Sequence, residues 1–348
     1  MRVWLPPRFD PNADTESSKL LKGRLADFES SHRGLRIEVR VKAEEGQTSL
    51  LNALSIASAA APSVLPDLVA LSRLDFESAA LTGLLHPMDG LSTMLDDPNW
   101  YAYARELGHV QNIGYGLPFA GDALVLIHRP ELEINSREDI FTSEESLFFP
   151  AGDPQALFTL SLYISAGGNL VNEQGQPALE EEPLTQTLTL IQNGIETKAV
   201  SPSLLAFESD EQAYQAYGDG REGMVIAWAA NKSGAIHPIP GINAPHAFAN
   251  GWMWALAGSE PEKQQIAVEL AEYLIDDVFL NEWIREAGYL PTRLSQNTEV
   301  NGILESAQAI PSNDAIAVLG PIMNQALSRV LNGEQIEVIV RDALEQVK

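Results

Sequence analysis

The sequence predicts an α/β fold divided into two lobes, and three observations predict it. Strand and helix signals alternate in short units from Arg2 to Leu81, the pattern of a parallel sheet flanked by helices. Two passages rich in glycine and proline, one at Gly116–Phe119 and one over His237–Gly251, break this alternation, and it restarts after each. The chain beyond Pro261 is almost wholly helical. At 348 residues and 45% hydrophobic content, two cores of ordinary size can be built.

Taken in order, "RVWL" (Arg2–Leu5) reads as a short strand. Residues 15–31 form a helix whose apolar stripe is Leu20, Leu21, Leu25 and Phe28. "LRIEVRV" alternates strictly, with Leu35, Ile37, Val39 and Val41 on one face. A helix over 49–60, a strand at Asp67–Leu71 and a helix over 75–81 continue the series. "GLPFAGDALVLIH" (Gly116–His128) sets breakers and then a lone acid, Asp122, before an apolar strand. Helices follow over 155–165, 184–198 and 210–217, then the strands Gly223–Trp228 and "WMWALAG" (Trp252–Gly258), and helices over 261–275, 278–287, 315–331 and 334–347. If each breaker passage carries the chain between lobes, the first lobe is completed by sequence beyond residue 246, and the cleft between the lobes is the natural ligand site.

The charge excludes some partners. Asp and Glu number 48 against 22 Lys and Arg, a net charge of -26 that repels nucleic acid and anionic membranes and suits a neutral or cationic ligand. The absence of cysteine removes disulfides, thiolate metal sites and cysteine nucleophiles. The opening "MRVWLPP" is strand-like, with no basic and apolar leader, so the expectation is either a cytosolic protein or the mature part of an exported one. No apolar segment of about 18 residues occurs to span a membrane.

Catalytic and cofactor motifs are equally sparse. There is no G-x-S-x-G and no P-loop, and "GYGLPFAG" lacks the glycine spacing of a dinucleotide loop. The histidines at 32, 86, 109, 128, 237 and 246 make no zinc motif, so neither metal nor cofactor is expected. Two acids suffice for a glycosidase, and Asp75 and Asp122 stand at junctions where acids also serve as turn or cap residues. Six tryptophans are more informative. Trp4, Trp228, Trp252 and Trp254 lie on or at the ends of strands, where an indole can cover the C–H face of a sugar ring or fill a core; Trp283, on a helix four residues after Phe279, reads as core.

Six segments then carry a resemblance. "LADFESSHRGLRIEVRV" (Leu25–Val41), "PDLVAL" (Pro66–Leu71), "GLPFAGDALVLIHRPEL" (Gly116–Leu132), "FTLSLYISAGGNLVNEQGQP" (Phe158–Pro177), "YGDGREGMVIAWAANKSG" (Tyr217–Gly234) and "EYLIDDVFLNEWIREAGYLPTR" (Glu272–Arg293) resemble, in order, elements of family 1 of the extracellular solute-binding proteins. These are receptors of bacterial ABC sugar importers. The resemblance implies a type II-like periplasmic-binding-protein fold, its N-terminal lobe built from residues 1–117 and 246–300 and its C-terminal lobe from 118–245 and 301–348, closing by hinge rotation on a bound sugar. It further implies no enzymatic activity, a membrane permease as partner, a monomer, and a periplasmic or lipid-anchored location outside the cytoplasm.

Carried over by position, the resemblance assigns ligand contacts to Ser72, Arg73 and Asp75, to Asp122, and to Trp228 as the stacking aromatic. Trp4, Arg8, Asn250, Trp252 and Arg293 follow as further contacts, Arg293 alternatively bracing its turn. Departures are Gly34 in place of proline, His128 and Arg129 in place of asparagine and lysine, and Leu157 where maltodextrin receptors stack an aromatic, which argues against maltodextrin itself. The alternatives are a receptor for a polyamine or another small polar solute, and a carbohydrate-active enzyme using two cleft carboxylates.

Overall fold

The computed structural model describes residues 1–134, 136–142, 145–220, 223–294 and 298–347. Its strands, in chain order, are β1 (Arg2–Leu5), β2 (Glu38–Val41), β3 (Leu68–Ser72), β4 (His109–Val110), β5 (Ile113–Gly114), β6 (Gly116–His128), β7 (Leu147–Phe148), β8 (Met224–Trp228), β9 (Ala235–His237), β10 (Ala247–Leu256) and β11 (Ala307–Ala309). The chain divides into two compact units, Met1–Asp122 with Asn250–Asn301, and Ala123–Ala249 with Gly302–Lys348. The sequence-based boundaries lie a few residues earlier. The chain changes unit inside β6, inside β10 and inside the helix Thr298–Ser306, so regular structure, rather than a breaker run, carries each passage.

The first unit is a sheet of parallel β2, β1 and β3, with the later half of β10 antiparallel to β3, from Trp252 opposite Ser72 to Leu256 opposite Leu68. The helix Glu16–Ser31 forms where the sequence places it. Thr15 caps it by accepting the Ser18 N–H at 3.1 Å, and Leu21, Leu25 and Phe28 are its buried stripe. β2 is shorter than its alternating sequence suggests: it sits at the sheet edge, and Leu35, Ile37 and Val39 are only half-buried. The core is aromatic. Phe9 meets Phe119, Trp252 and Trp283 at ring-centroid distances of 5.2, 5.1 and 5.5 Å, and Phe119 stacks on Trp254 at 4.4 Å. Trp283 is therefore a core residue, its indole N–H bonded to the Ser17 carbonyl at 3.1 Å.

The glycines before and within β6 serve close packing. They make no bend there, because Gly116–Phe119, read in the sequence as a crossover, belong to a continuous strand. A Cβ on Gly116 would lie 2.7 Å from the Phe76 ring and 2.8 Å from the Trp254 carbonyl oxygen. Every residue of β6 is buried except Asp122, which is half-buried.

In the second unit the later half of β6 pairs antiparallel with β8, Leu124 opposite Trp228, while β9 flanks its other side. β7 runs parallel to β8, and β11 parallel to the first residues of β10. The helices Leu157–Ser165, Glu181–Thr197, Asn313–Leu331 and Ile336–Gln346 pack on one another, as the amphipathic late sequence requires. No described helix is long and apolar enough to cross a membrane.

Candidate functional site

A pocket of about 180 Å³ opens in the second unit, and Trp228 lines it. The indole is there because β8 ends at this residue: four buried apolar positions, Met224–Ala227, hold the strand, and Trp228 at its end is only half-buried. Its backbone N–H donates to Oδ2 of Asp210 at 3.3 Å, which fixes the carboxylate at the start of the helix Asp210–Gly220 beside the indole. Across from it lies the loop Gly152–Ala156. Here Oδ1 of Asp153 accepts the Gln155 N–H at 2.9 Å, an Asx turn that leads into the helix Leu157–Ser165.

That loop is held from two sides. Gly152 donates to the Phe207 carbonyl at 2.8 Å, and a Cβ there would sit 2.7 Å from the Leu205 oxygen. From the other side, Asn324 donates to the carbonyls of Ala151 and Asp153 at 2.9 and 3.0 Å. Gly320, on the same helix as Asn324, lets that helix approach so closely that a Cβ would be 2.6 Å from the Pro154 oxygen. Asp153 and Asp210 are thus placed by packing, as a binding site requires. Burial raises the pKa of both above the ordinary carboxylate range. Asp210 adds to the shift of Asp153, whereas the Trp228 N–H and Lys232 pull Asp210 partly back. Gln155, Glu208 and the buried rings and side chains of Phe158 and Leu157 complete the wall, so Leu157 does line the pocket, with an aromatic ring as its neighbour.

In the first unit, the predicted residues sort into two groups. At the carboxyl ends of β1, β2 and β3, where open α/β sheets bind ligands, stand Arg8, Glu44, Ser72 and Asp75. Arg8 donates to both oxygens of Glu44 at 2.9 and 2.5 Å and to the Tyr289 hydroxyl at 3.0 Å, with its guanidinium 5.0 Å over Trp252. Ser72 caps the helix Arg73–Leu81 by accepting the Asp75 N–H, and it pairs with Trp252 across the sheet. Burial, then Glu44, raises the Asp75 pKa. Asp122 belongs with this set, for its charge raises the pKa of Tyr289 further, after burial. Asn250 is half-buried and accepts the Gly251 N–H through its own side chain at 2.8 Å.

The second group is interior. Arg73 is buried, donating to the Leu107 and His109 carbonyls at 3.4 and 3.3 Å, 3.5 Å from the Glu77 carboxylate. Arg293 bonds Asp277 at 2.5 Å and Asp97 at 3.1 Å and lies 4.7 Å over Trp100, which braces the turn after Pro291. Trp4 is buried beneath the Lys42 ammonium at 5.0 Å. Sequence reading missed Asp153, Gln155, Asp210, Glu44 and Tyr289. An Asp before proline and an Asp opening a helix read as turn and cap residues, which they also are, and only the fold brings them to Trp228. Among the described residues, no three His, Asp or Glu side chains converge as metal ligands. Arg221 and Glu222, within the segment that leads into β8, lie outside the described residues.

Comparison with solved structures shows the same fold over essentially the whole chain. The cyclic α-maltosyl-1,6-maltose binding protein of Arthrobacter globiformis is 13% identical, with a TM-score of 0.79, covering 100% of this chain and 97% of its own. The sugar-binding protein MalE of Xanthomonas citri is 16% identical at a TM-score of 0.77, covering 99% and 95%. A maltotriose-binding protein of Thermus thermophilus, bound with maltotriose, is 17% identical at 0.69, covering 100% and 98%. None of the curated proteins matches the sequence. The family model described as bacterial extracellular solute-binding protein matches residues 12–278. With a mixed α/β chain of this topology and a match over most of its length, the protein belongs to the bacterial extracellular solute-binding protein family.

Proposed function

We propose that this protein is the receptor of an ABC-type importer, that it binds a mono- or oligosaccharide, and that it hands the sugar to a membrane permease outside the cytoplasm. One observation carries the reading: the half-buried Trp228 indole lines a pocket beside the carboxylates of Asp153 and Asp210. A sugar ring has an apolar C–H face that an indole covers and a rim of hydroxyls that carboxylates and amides accept from or donate to. The likeness to proteins described as binding maltotriose and a cyclic maltosyl-maltose supports a carbohydrate. The family is one of binding proteins, and delivery rather than turnover is the role proposed.

The sequence resemblance adds Ser72, Asp75, Arg8, Trp252 and Asp122 of the first unit as contacts. Isothermal titration against a panel of mono- and oligosaccharides tests the function: one-to-one binding of at least one sugar is expected. Binding of polyamines or other cations by a protein that takes no sugar would contradict it. Repeating the titration with Asp75→Asn and Asp122→Asn tests the contribution of the first unit, with weaker binding expected and unchanged affinity ruling these contacts out.

A further inference from the structure

We propose that the pocket beside Trp228 selects a sugar bearing a protonated amine, an amino sugar, over its neutral counterpart; this rests on the carbohydrate reading above. Among the described residues, the lining contains three carboxyl side chains, Asp153, Glu208 and Asp210, and no lysine, arginine or histidine. The cation that acts on Asp210, Lys232, is already engaged, since its ammonium pairs with Glu211 and stands 4.8 Å over the Tyr214 ring. Asp153 accepts the Gln155 N–H, and Asp210 accepts the Trp228 N–H and interacts with that of Glu211, and this fixes their direction. Oδ2 of Asp153 accepts from none of the described residues.

The charges facing these two acids are therefore Glu208, Glu211 and Lys232, together with the partial positive end of the helix Asp210–Gly220. Their sum is negative. A neutral sugar donates hydroxyl hydrogens to such a pair but leaves the mutual repulsion of two half-buried anions in place. An ammonium donates charge-assisted bonds, relieves that repulsion, and is attracted to the indole face as well. Burial raises the pKa of both acids, and the charge of Asp210 adds to the shift of Asp153, so a cation between them relieves an electrostatic cost that the fold already carries.

The test is isothermal titration of the full chain at neutral pH with matched sets: D-glucosamine and its oligosaccharides, their N-acetylated forms, and the corresponding glucose sugars. The amine form is expected to bind about tenfold tighter than its two neutral counterparts. The preference should shrink as salt screens the site, and it should vanish in Asp153→Asn and Asp210→Asn, whose amide oxygens can still accept the Gln155 and Trp228 N–H groups and whose folding is checked by thermal unfolding. Equal or tighter binding of a neutral form, or a preference that survives both substitutions, overturns the inference and leaves the carbohydrate reading standing. Binding of no sugar in these sets, with binding of another sugar from the wider panel above, overturns the inference alone, and binding of none in either overturns both. The wild-type comparison and its salt dependence decide the matter even where a variant fails to fold.

Discussion

Truncation of Trp228 separates ligand contact from core packing. The residue is half-buried, with its strand neighbour Leu124 buried opposite it, so Trp228→Ala removes part of a packed indole and part of a pocket wall. Full burial of tryptophan is worth about 3–5 kcal/mol on truncation, and a half-buried one should cost about 1–2 kcal/mol of stability. For binding, a sugar face covering about 60 Å² of indole contributes roughly 1.5 kcal/mol at about 25 cal/mol per Å², or a little over tenfold in affinity. Thermal unfolding and isothermal titration on the same preparation read the two effects, and Trp228→Phe should recover most of the binding. Affinity within about twofold of wild type in a variant that melts lower would assign Trp228 to the core and remove the basis for the proposed site.

Other perturbations probe the frame. Arg293→Ala removes a buried guanidinium that bonds the half-buried Asp97 and the exposed Asp277 and packs on Trp100; it should destabilise the fold by about 1–2 kcal/mol while leaving sugar affinity unchanged, and a selective loss of affinity at full stability would make it a ligand contact instead. Gly116→Ala forces a methyl against the Phe76 ring and the Trp254 carbonyl and should cost about 2–3 kcal/mol in a denaturant titration, an unchanged midpoint refuting the close-packing account. His246 is buried, with its Nδ1 2.9 Å from the Ser161 hydroxyl, and burial lowers its pKa from 6.5 to about 4, only partly offset by Gln308. Because the folded state holds this imidazole neutral, stability is present above 6.5 and is lost as pH falls through the window down to about 4, by about 3 kcal/mol in full. His246→Gln should flatten unfolding temperature across that window, and an identical pH profile would refute the assignment.

The elements were largely legible because each has a local cause. The stripe Leu21–Leu25–Phe28, the apolar run to Trp228 and the cap at Thr15 act within a few residues, and they give the helix 16–31 and the strand β8 where expected. What depends on distant sequence was not legible. The early residues of β10 lie in what reads as a breaker run, and they become strand because β11, some sixty residues later, pairs with them. The helix Ala102–Leu107 is one short turn-and-a-half whose burial comes from tertiary neighbours. The same holds for the site. Trp228 ends a recognisable strand, whereas Asp153 and Asp210 gain their meaning only when Asn324, Gly320 and the Phe207 carbonyl hold their segments beside it. Conversely, Arg73 and Arg293 stand at positions the resemblance marks for ligand, yet each buried guanidinium already has its acid, the buried Glu77 for one and, for the other, the half-buried Asp97 with the exposed Asp277.

The central claim is that the pocket walled by Trp228 holds the sugar. A crystal structure of the protein with the sugar that titrates tightest tests it most directly. The account predicts a pyranose or furanose ring within about 4 Å of the Trp228 indole, with a hydroxyl or amine in hydrogen-bond reach of Asp153 or Asp210. A sugar bound without touching any of these three residues would contradict it.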